Sequence, residues 1–420
     1  MKKLISFLIL IGLIVFGYYY FTNNSDNENE NSILQQTEDE AFYIEKYTIF
    51  GTHLNINGCI DKILDGELSL VLKDNKEEIS IGSIFNSEDK TCFNLSNKNN
   101  EGIYLDSLKE GNYILLVKQV NSDEIKYYNL TNKTEYGALT YYTITNNNKN
   151  NKIDINFNTY NGKEYLNIKV DQTSLPDDVY DITIDPGHGG NDPGASYKMN
   201  GKVYNESDLT LKISLLLKED LEDLGLKVKL TRDSDDTLSN YGSDGRSVIP
   251  NKTKSKYSLS IHINSFTGSM NYGGVEIYTP NDINYELATL FANNISNIVG
   301  YSKKATDKID NGIYYKSFSN KDILEFKNEM IAKGLQPYNI VEGSPYMFMI
   351  REVGGISTHA YVDGREGKFN EFYNSNHTAE PYLLELGYIN YESDLDKLDN
   401  KSESFAYAIS KSLQEYLDIS

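Results

Sequence analysis

The sequence has no tryptophan, only two cysteines, and fewer basic than acidic residues. Of its 420 residues, 61 are acidic and 40 are basic, so the formal net charge is -21. Nucleic-acid binding needs a basic surface, and this balance argues against it. A mean hydropathy of -0.50 excludes an integral membrane protein with several spans. Thiolate metal ligands are excluded too, because Cys59 and Cys92 lie far upstream of the other candidate ligands.

Histidine is also scarce, with five residues in the chain, and one of them stands in an unusual setting. His188 belongs to the segment 185–190, Asp-Pro-Gly-His-Gly-Gly, which follows the apolar run 182–184. This pattern predicts a buried strand that ends in a tight loop, because glycine permits positive φ and proline fixes φ. The loop would present an imidazole at the carboxyl end of a strand, where open α/β sheets form their sites.

Three further residues have the chemistry of a metal site. Glu206 opens an amphipathic run with helical spacing, where the helix dipole favours an ionised carboxylate. His262 lies in a run that alternates like a strand, and Glu385 lies in an apolar strand-like run that would bury a carboxylate. Two imidazoles and a carboxylate with one open position form the ligand set of catalytic zinc hydrolases.

Residues 180–420 resemble the zinc-dependent N-acetylmuramoyl-L-alanine amidases, the peptidoglycan amidase family called Amidase_3. The resemblance rests on several motifs in family order, at residues 182–190, 192–195, 205–209, 228–232, 245–246, 260–265, 274–278 and 384–390. It implies that His188, Glu206 and His262 bind one Zn²⁺ and that Glu385 is the catalytic carboxylate. It also implies that the substrate is peptidoglycan, cut between N-acetylmuramic acid and the L-alanine of the stem peptide.

Other polar residues near these motifs have two interpretations each. Asp185 would either orient a ligand imidazole or accept hydrogen bonds from loop N–H groups. Asn264 would either contact the substrate or make a hydrogen bond at a strand end. Arg232 and Arg246 are better explained as structural ion-pair partners than as substrate ligands. His377 lies a few residues before Glu385 and is a candidate for reaching the substrate groove.

The segment at about 301–380 is much longer than the corresponding part of compact family members. A connection of this length is usually functional or disordered, and its scattered Tyr, Phe and Ile favour order. It would form either a wall of the substrate groove or a lid over the zinc. His359, inside it, is expected to be an ordinary surface residue.

The amino-terminal part of the chain has the pattern of an exported protein. Residues 1–22 contain two lysines followed by a nearly unbroken apolar run, close to the minimum for a membrane span. We predict an uncleaved single-pass anchor in the cytoplasmic membrane, with the catalytic domain outside, facing the cell wall. The alternative is secretion after signal cleavage. Residues 23–40 are predicted to be a flexible acidic linker.

The remaining sequence predicts two domains. Residues 41–176 consist of short alternating runs separated by turns, which favours an all-β, sandwich-like accessory domain that is a spacer or a recognition module. Residues 177–420 are predicted to be an α/β catalytic domain, with a mixed or mostly parallel sheet flanked by helices on both faces. A disulfide between Cys59 and Cys92 is chemically permitted outside the cytoplasm, and the sequence leaves it open.

The function indicated is a zinc-dependent peptidoglycan amidase. Two alternatives remain, a zinc carboxypeptidase that acts on stem peptides and a non-catalytic protein that binds the cell wall. The sequence identifies no protein activator and no ligand for the β-rich domain.

Overall fold

The computed structural model describes residues 32–99, 101–122, 124–145, 149–267, 273–281, 283–301, 312–358, 360 and 375–419. The strands are β1 (Phe42–Phe50), β2 (His53–Ile60), β3 (Glu67–Lys73), β4 (Glu78–Ser87), β5 (Lys90–Leu95), β6 (Ile103–Tyr104), β7 (Gly111–Asn121), β8 (Glu124–Asn132), β9 (Leu139–Tyr142), β10 (Asn150–Tyr160), β11 (Lys163–Thr173), β12 (Ile182–Pro186), β13 (Ser196–Met199), β14 (Lys202–Asn205), β15 (Val228–Leu230), β16 (Tyr257–Asn264), β17 (Glu276–Tyr278), β18 (Ile313–Tyr314), β19 (His377–Thr378) and β20 (Glu380–Tyr388). The α-helices are α1 (Glu206–Asp223), α2 (Ile249–Lys252), α3 (Glu286–Ile295), α4 (Asn320–Ala332), α5 (Phe348–Gly354), α6 (Glu392–Asn400) and α7 (Ser402–Tyr416).

Seven strands of the amino-terminal half form a closed barrel. Their order is β1-β2-β5-β4-β3-β7-β8, and β8 returns to pair with β1 in parallel. The other neighbours around the ring pair antiparallel. Strands β11, β10 and β9 extend the sheet beyond β7, and β6 pairs with β2. Closure removes the open edges that an unclosed pair of sheets would present.

The barrel interior follows the period-two alternation of its strands. In β2, Leu54, Ile56 and Ile60 are buried, and the residues between them are mostly half-buried. The disulfide that the sequence left open is formed between Cys59 and Cys92, which face each other on the paired strands β2 and β5.

The predicted fold class is wrong for the molecule as a whole. We expected a helix-flanked, mostly parallel α/β sheet together with a β sandwich. The structure instead has the closed seven-stranded barrel with extra strands as its core, and only 26% of it is helical. The physical reason is that alternation sets which side chains face inward, and it is the same for a sandwich and a barrel. The pairing of β8 with β1, which closes the ring, joins segments about 90 residues apart and leaves no local pattern.

A second sheet of six strands positions the candidate site. Its order is β15-β12-β16-β20-β17-β18, and β12, β16 and β20 run parallel. The carboxyl ends of these three strands therefore lie along one edge. Helix α1 packs on this sheet through Leu209, Ile213, Leu217 and Leu221, which recur every fourth residue on its buried face.

The barrel and the second sheet are joined through the segment before β20. Strand β19 pairs in parallel with β1, where Ile49 lies opposite His377. Three residues after His377, the buried carboxylate of Glu380 accepts a hydrogen bond of 3.0 Å from the side-chain amide of Asn97. The predicted boundary between residues 41–176 and 177–420 stays a prediction, and these contacts cross it.

The predicted anchor, residues 1–22, lies outside the described residues, as does 23–31 of the predicted linker. In the part of the chain that the structure describes, no helix is long and apolar enough to cross a membrane. This finding contradicts the predicted single-pass localisation. Of the rest of the predicted linker, Ile33 and Leu34 are buried against apolar residues of β3, β7 and β11.

Candidate metal centre

Three predicted ligands converge at the carboxyl edge of the second sheet. His188 lies in the loop after β12, Glu206 is the first residue of α1, and His262 lies near the end of β16. One potential ligand atom from each falls within 4.8 Å of the others. Oε1 of Glu206 is 3.2 Å from Nε2 of His188 and 3.0 Å from Nδ1 of His262. The two imidazole rings meet edge to face, with centroids 4.9 Å apart.

The loop can approach His262 and Glu206 only because two of its residues are glycine. A Cβ placed on Gly187 would lie 2.6 Å from Cε1 of His262, much closer than atoms can pack. A Cβ on Gly194 would lie 2.6 Å from Oε2 of Glu206, and Gly194 also has a positive φ of +66°. His188 itself adopts φ 60°, which is uncommon for a residue other than glycine. Such backbone conformations persist where the surrounding structure fixes them.

Two buried arginines fix this loop through its carbonyl groups. Arg232 donates to the carbonyl oxygens of Pro186 at 3.0 Å and Gly187 at 2.8 Å. Arg246 donates to the carbonyl oxygen of His188 at 2.9 Å. Each guanidinium therefore satisfies acceptors in a loop that has no regular secondary structure. The interpretation of these arginines as structural ion-pair partners stays a prediction; both bond backbone carbonyls, and Arg246 also lies 3.3 Å from Asp185.

The charges around the three ligands favour an ionised carboxylate. Burial alone would raise the pKa of Glu206, but hydrogen bonds and charges from His188 and His262 outweigh it and lower that pKa well below its usual value. Burial alone would lower the pKa of His188, but Glu206 and Asp192 outweigh it and raise that pKa. The second oxygen of Glu206 accepts a hydrogen bond from the backbone of Ala195 at 2.9 Å.

A neighbouring carboxylate orients the His188 ring. Oδ2 of Asp192 lies 2.8 Å from Nδ1 of His188, so the other ring nitrogen faces Glu206. Carboxylates behind ligand imidazoles are typical of zinc sites, where they fix the ring orientation. Together with two imidazoles and a carboxylate on converging elements, this arrangement has the donor chemistry of a catalytic zinc site.

Glu385 lies beside the three ligands. On β20 it is opposite His262 of β16 on one side and Glu276 of β17 on the other. It is 9% exposed, and its Oε2 has no hydrogen-bond partner among the described residues. Burial, followed by the charges of Glu206 and Glu276, raises the pKa of Glu385 well above its usual value. A buried polar atom without a partner requires an explanation, and a bound ion or water beside it is one.

The contacts of Asp185 differ from the two predicted for it, with an imidazole or with loop N–H groups, and Asn264 bonds a neighbouring carboxylate. Asp185 is fully buried and accepts hydrogen bonds from the hydroxyls of Thr231 at 2.7 Å and Ser260 at 2.9 Å, and its Oδ1 lies 3.3 Å from the Arg246 guanidinium. It therefore ties neighbouring strands together beneath the loop. The amide of Asn264 borders the cleft and donates to Glu276 at 3.2 Å.

The two remaining candidate histidines differ in location. His377 lies in β19, and its ring centroid is 6.1 Å from that of Tyr141 in β9. It is not among the described residues that line the cleft at the three ligands. His359 lies outside the described residues.

The cleft above the ligands has a volume of about 460 Å³. A larger cavity, about 660 Å³, lies elsewhere, between β10 and the carboxyl-terminal residues 417–419. The larger one contains none of the candidate ligands, and the chemistry therefore points to the smaller cleft.

Residues 182–342 match the Amidase_3 family, described as N-acetylmuramoyl-L-alanine amidase. This part of the chain is thus similar to the amidase domain of that family. The matched range contains His188, Glu206 and His262, and the molecule is a hydrolase of the peptidoglycan amidase class.

Two proteins with sequences similar to parts of this chain are named as amidases. Over 231 residues the chain is 26% identical to the sporulation-specific N-acetylmuramoyl-L-alanine amidase of Bacillus subtilis, which spans 53% of this chain and 80% of that protein. Over 125 residues it is 38% identical to the probable cell wall amidase LytH of Staphylococcus epidermidis, which spans 29% of this chain and 40% of that protein. The chain thus spans less than half the length of this second relative.

A solved structure is similar to part of the chain. The catalytic domain of CwlV, an N-acetylmuramoyl-L-alanine amidase from Bacillus (Paenibacillus) polymyxa var. colistinus, is 22% identical. The likeness covers 58% of this chain and all of that domain, with a TM-score of 0.39.

Two residues of the amidase domain were not anticipated from the sequence. Asp192 contacts Nδ1 of His188. The only sign of this contact in the sequence is that Asp192 follows His188 by four residues in the same glycine-rich loop. Glu276 lies against Glu385, and its only local signal is a carboxylate inside the short apolar run 275–278.

Proposed function

We propose that this protein uses a single zinc ion to hydrolyse the amide bond between N-acetylmuramic acid and the L-alanine of the stem peptide in peptidoglycan. His188, Glu206 and His262 would hold the ion. The observation that carries the proposal is the convergence of these three side chains beside the buried Oε2 of Glu385, which has no hydrogen-bond partner among the described residues. Zinc, when bound, supplies Lewis-acid polarisation of the scissile carbonyl and a lower pKa for the attacking water.

Glu385 would move the protons in this reaction. A carboxylate at this position accepts a proton from the attacking water on Oε2 and passes it to the departing amine. An amide nitrogen is a poor leaving group unless it is protonated, so this second transfer is essential. The raised pKa of Glu385 favours its protonated form, which supports the second transfer, from Glu385 to the departing amine.

Asp192, Arg232 and Arg246 would act by positioning. Asp192 holds the His188 ring so that Nε2 faces the centre, and the two arginines fix the loop that carries His188. Removal of a side chain that hydrogen-bonds a metal ligand typically lowers metal affinity or activity about 10- to 100-fold.

Digestion of purified sacculi tests the proposal. The zinc-loaded protein should release intact stem peptides that begin with L-alanine and leave glycan strands without peptides, as detected by mass spectrometry. Glu385→Gln, loaded with the same amount of zinc, should release neither. Peptides that are shortened while still attached to sugar would indicate a carboxypeptidase. Binding to sacculi with no products from the zinc-loaded protein would indicate a non-catalytic wall-binding protein.

A further inference from the structure

The cleft beside the metal ligands is lined by residues of different chemistry. The polar ones include Thr237, Asn240 and Ser265. Met347, Phe348 and Met349 with Leu383 also line the cleft, and they pack in one cluster that forms an apolar wall. The three consecutive residues belong to the long segment after β17, and Leu383 lies on β20 two residues before Glu385.

The apolar wall is anchored on the strand that carries Glu385. Helix α5 buries Met349, Ile350 and Val353 in one cluster with Ala379 and Leu383. Apolar burial of these side chains fixes the helix in place. The described residues 347–349 of the segment therefore line the cleft, and the choice between a groove wall and a lid stays a prediction.

A buried asparagine ties the same helix to the segment before β20. The side-chain amide of Asn251 donates to the carbonyl oxygen of Val353 at 3.0 Å, and its oxygen accepts a hydrogen bond of 2.9 Å from the backbone N–H of Ala379. The end of α5 and the residue preceding β20 are thus held by one side chain. Motion of α5 away from the cleft would break the bond to Val353.

Phe348 is held in a defined orientation at the cleft surface. Its ring meets that of Tyr241 edge to face, with centroids 5.4 Å apart at 87°. The guanidinium of Arg351 lies 5.9 Å from the Phe348 centroid. Met347 and Phe348 are each half-buried, so part of their apolar surface faces the cleft. A half-exposed aromatic ring that is fixed by its neighbours is suited to contact a small apolar group.

We propose that Met347, Phe348 and Leu383 form a subsite for the side-chain methyl of the alanine on the peptide side of the scissile bond. This inference rests on the proposed function. The hydroxyl-rich glycan needs hydrogen-bond partners, which the polar lining residues offer. The alanyl methyl instead suits the apolar wall. The long segment after β17 thereby contributes to the choice of the first stem residue.

Two synthetic substrates that differ by one methyl group test the subsite. In one, N-acetylmuramic acid is linked to a peptide beginning with L-alanine, and in the other to the same peptide beginning with glycine. The wild-type protein should cleave the alanine substrate with a kcat/KM about five- to tenfold higher, as expected for one methyl in a partly apolar site. In Phe348→Ala this preference should fall to about twofold or less. Phe348→Leu, which retains an apolar side chain, should keep most of it.

Leu324→Ala is the matched control, since Leu324 is an apolar residue of α4 that is 59% exposed and does not line the cleft. This variant should keep the wild-type preference. Zinc content and thermal melting identify any variant that fails to fold, and Met347→Gln is then the second test of the same wall. An unchanged preference in a folded Phe348→Ala protein overturns the subsite, and so does an equal loss on both substrates. Failure of the wild-type protein to cleave either substrate would instead refute the proposed function.

Discussion

Glu276 lies directly opposite Glu385 where strands β17 and β20 pair antiparallel. Glu276 is 1% exposed, and it accepts hydrogen bonds from the hydroxyls of Tyr278 and Tyr388 as well as from Asn264. These bonds hold one carboxylate beside another in a buried site. Glu276 therefore acts on Glu385 as a fixed neighbouring charge, and together with burial and Glu206 it raises the pKa of Glu385.

Replacing Glu385 with glutamine should abolish turnover without removing the metal. We expect kcat to fall by about 10²- to 10⁴-fold, the range for loss of a general acid–base group. Bound zinc, measured by plasma emission spectrometry, should stay near one per molecule, because Glu385 is not one of the three proposed ligands. Glu392→Gln, at an exposed position in α6, is the control and should match the wild-type rate. A Glu385→Gln rate within a few-fold of wild type would refute the catalytic role.

Replacing either proposed histidine ligand should remove the metal itself. His188→Ala and His262→Ala should each lower the zinc content at least tenfold and eliminate activity. Addition of zinc should raise the melting temperature of the wild-type protein after chelation, since a ligand that binds only the folded state stabilises it, but should not do so for the variants. His53→Asn, in barrel strand β2, should retain its zinc. Full metal occupancy in both ligand variants would exclude this site.

A single added methyl at Gly187 should disrupt the centre. Because its Cβ would lie 2.6 Å from the His262 ring, Gly187→Ala must displace either the loop or the imidazole. We expect a loss of about 1–3 kcal/mol in the free energy of unfolding, typical of overpacking, and a drop in zinc affinity of about tenfold or more. Gly137→Ala is the matched control, because a Cβ at Gly137 would meet no atom within 4 Å. Equal behaviour of the two variants in a zinc titration would contradict this steric account.

The ion pairs of Glu78 should stop stabilising the barrel in acid. Burial alone would raise the pKa of Glu78, but Lys118, Tyr127 and Lys73 outweigh it and lower that pKa to about 2. The carboxylate oxygens lie 2.6 Å from Nζ of Lys118 and 3.1 Å from Nζ of Lys73. Since the pKa is lower in the folded than in the unfolded state, this contribution is complete above the unfolded value and is lost as the pH falls towards 2.

Glu78→Gln measures that contribution. With Glu78 22% exposed, we expect about 1–2 kcal/mol in the free energy of unfolding at pH 7 after allowance for solvent screening. Urea denaturation of wild type and variant at several pH values should show the difference shrinking between about pH 5 and pH 2. Glu101→Gln, at an exposed position, should be neutral throughout. A difference that is independent of pH would mean that the effect is not electrostatic.

Part of the site is predictable from local sequence patterns, because strand ends and helix starts favour particular residues, such as glycine in turns and acidic residues in the first helical turn. The glycine-rich turn after β12 indicated that His188 lies at a sheet edge, and Glu206 was predicted at a helix start, where it begins α1. The structure brings both within 4.8 Å of His262. The roles of these residues and of Glu385 stay predictions.

Features that depend on distant pairing were not predictable in the same way. The barrel closes through β8 and β1, and no residue in either strand distinguishes a barrel from a sandwich, so the predicted fold class was wrong. The contact of Glu276 with Glu385 joins residues 109 positions apart through strand register. Phe348 faces the cleft because α5 packs on β20, which the spacing of apolar residues near 348 does not reveal.

A fragment that began at residue 177 would lack the barrel strand on which β19 is paired. Glu380 lies five residues before Glu385. In the fragment it would keep the hydrogen bond from the hydroxyl of Tyr382 but lose the one from the amide of Asn97. Removal of the barrel would thus expose the edge of β19. It would also expose to water the carboxylate of Glu380, which lies on β20, the same strand as Glu385. The activity of such a fragment would therefore reflect a perturbed β20. Asn97→Ala in the full chain would instead remove only the hydrogen bond from the barrel to Glu380 and would show its effect on activity.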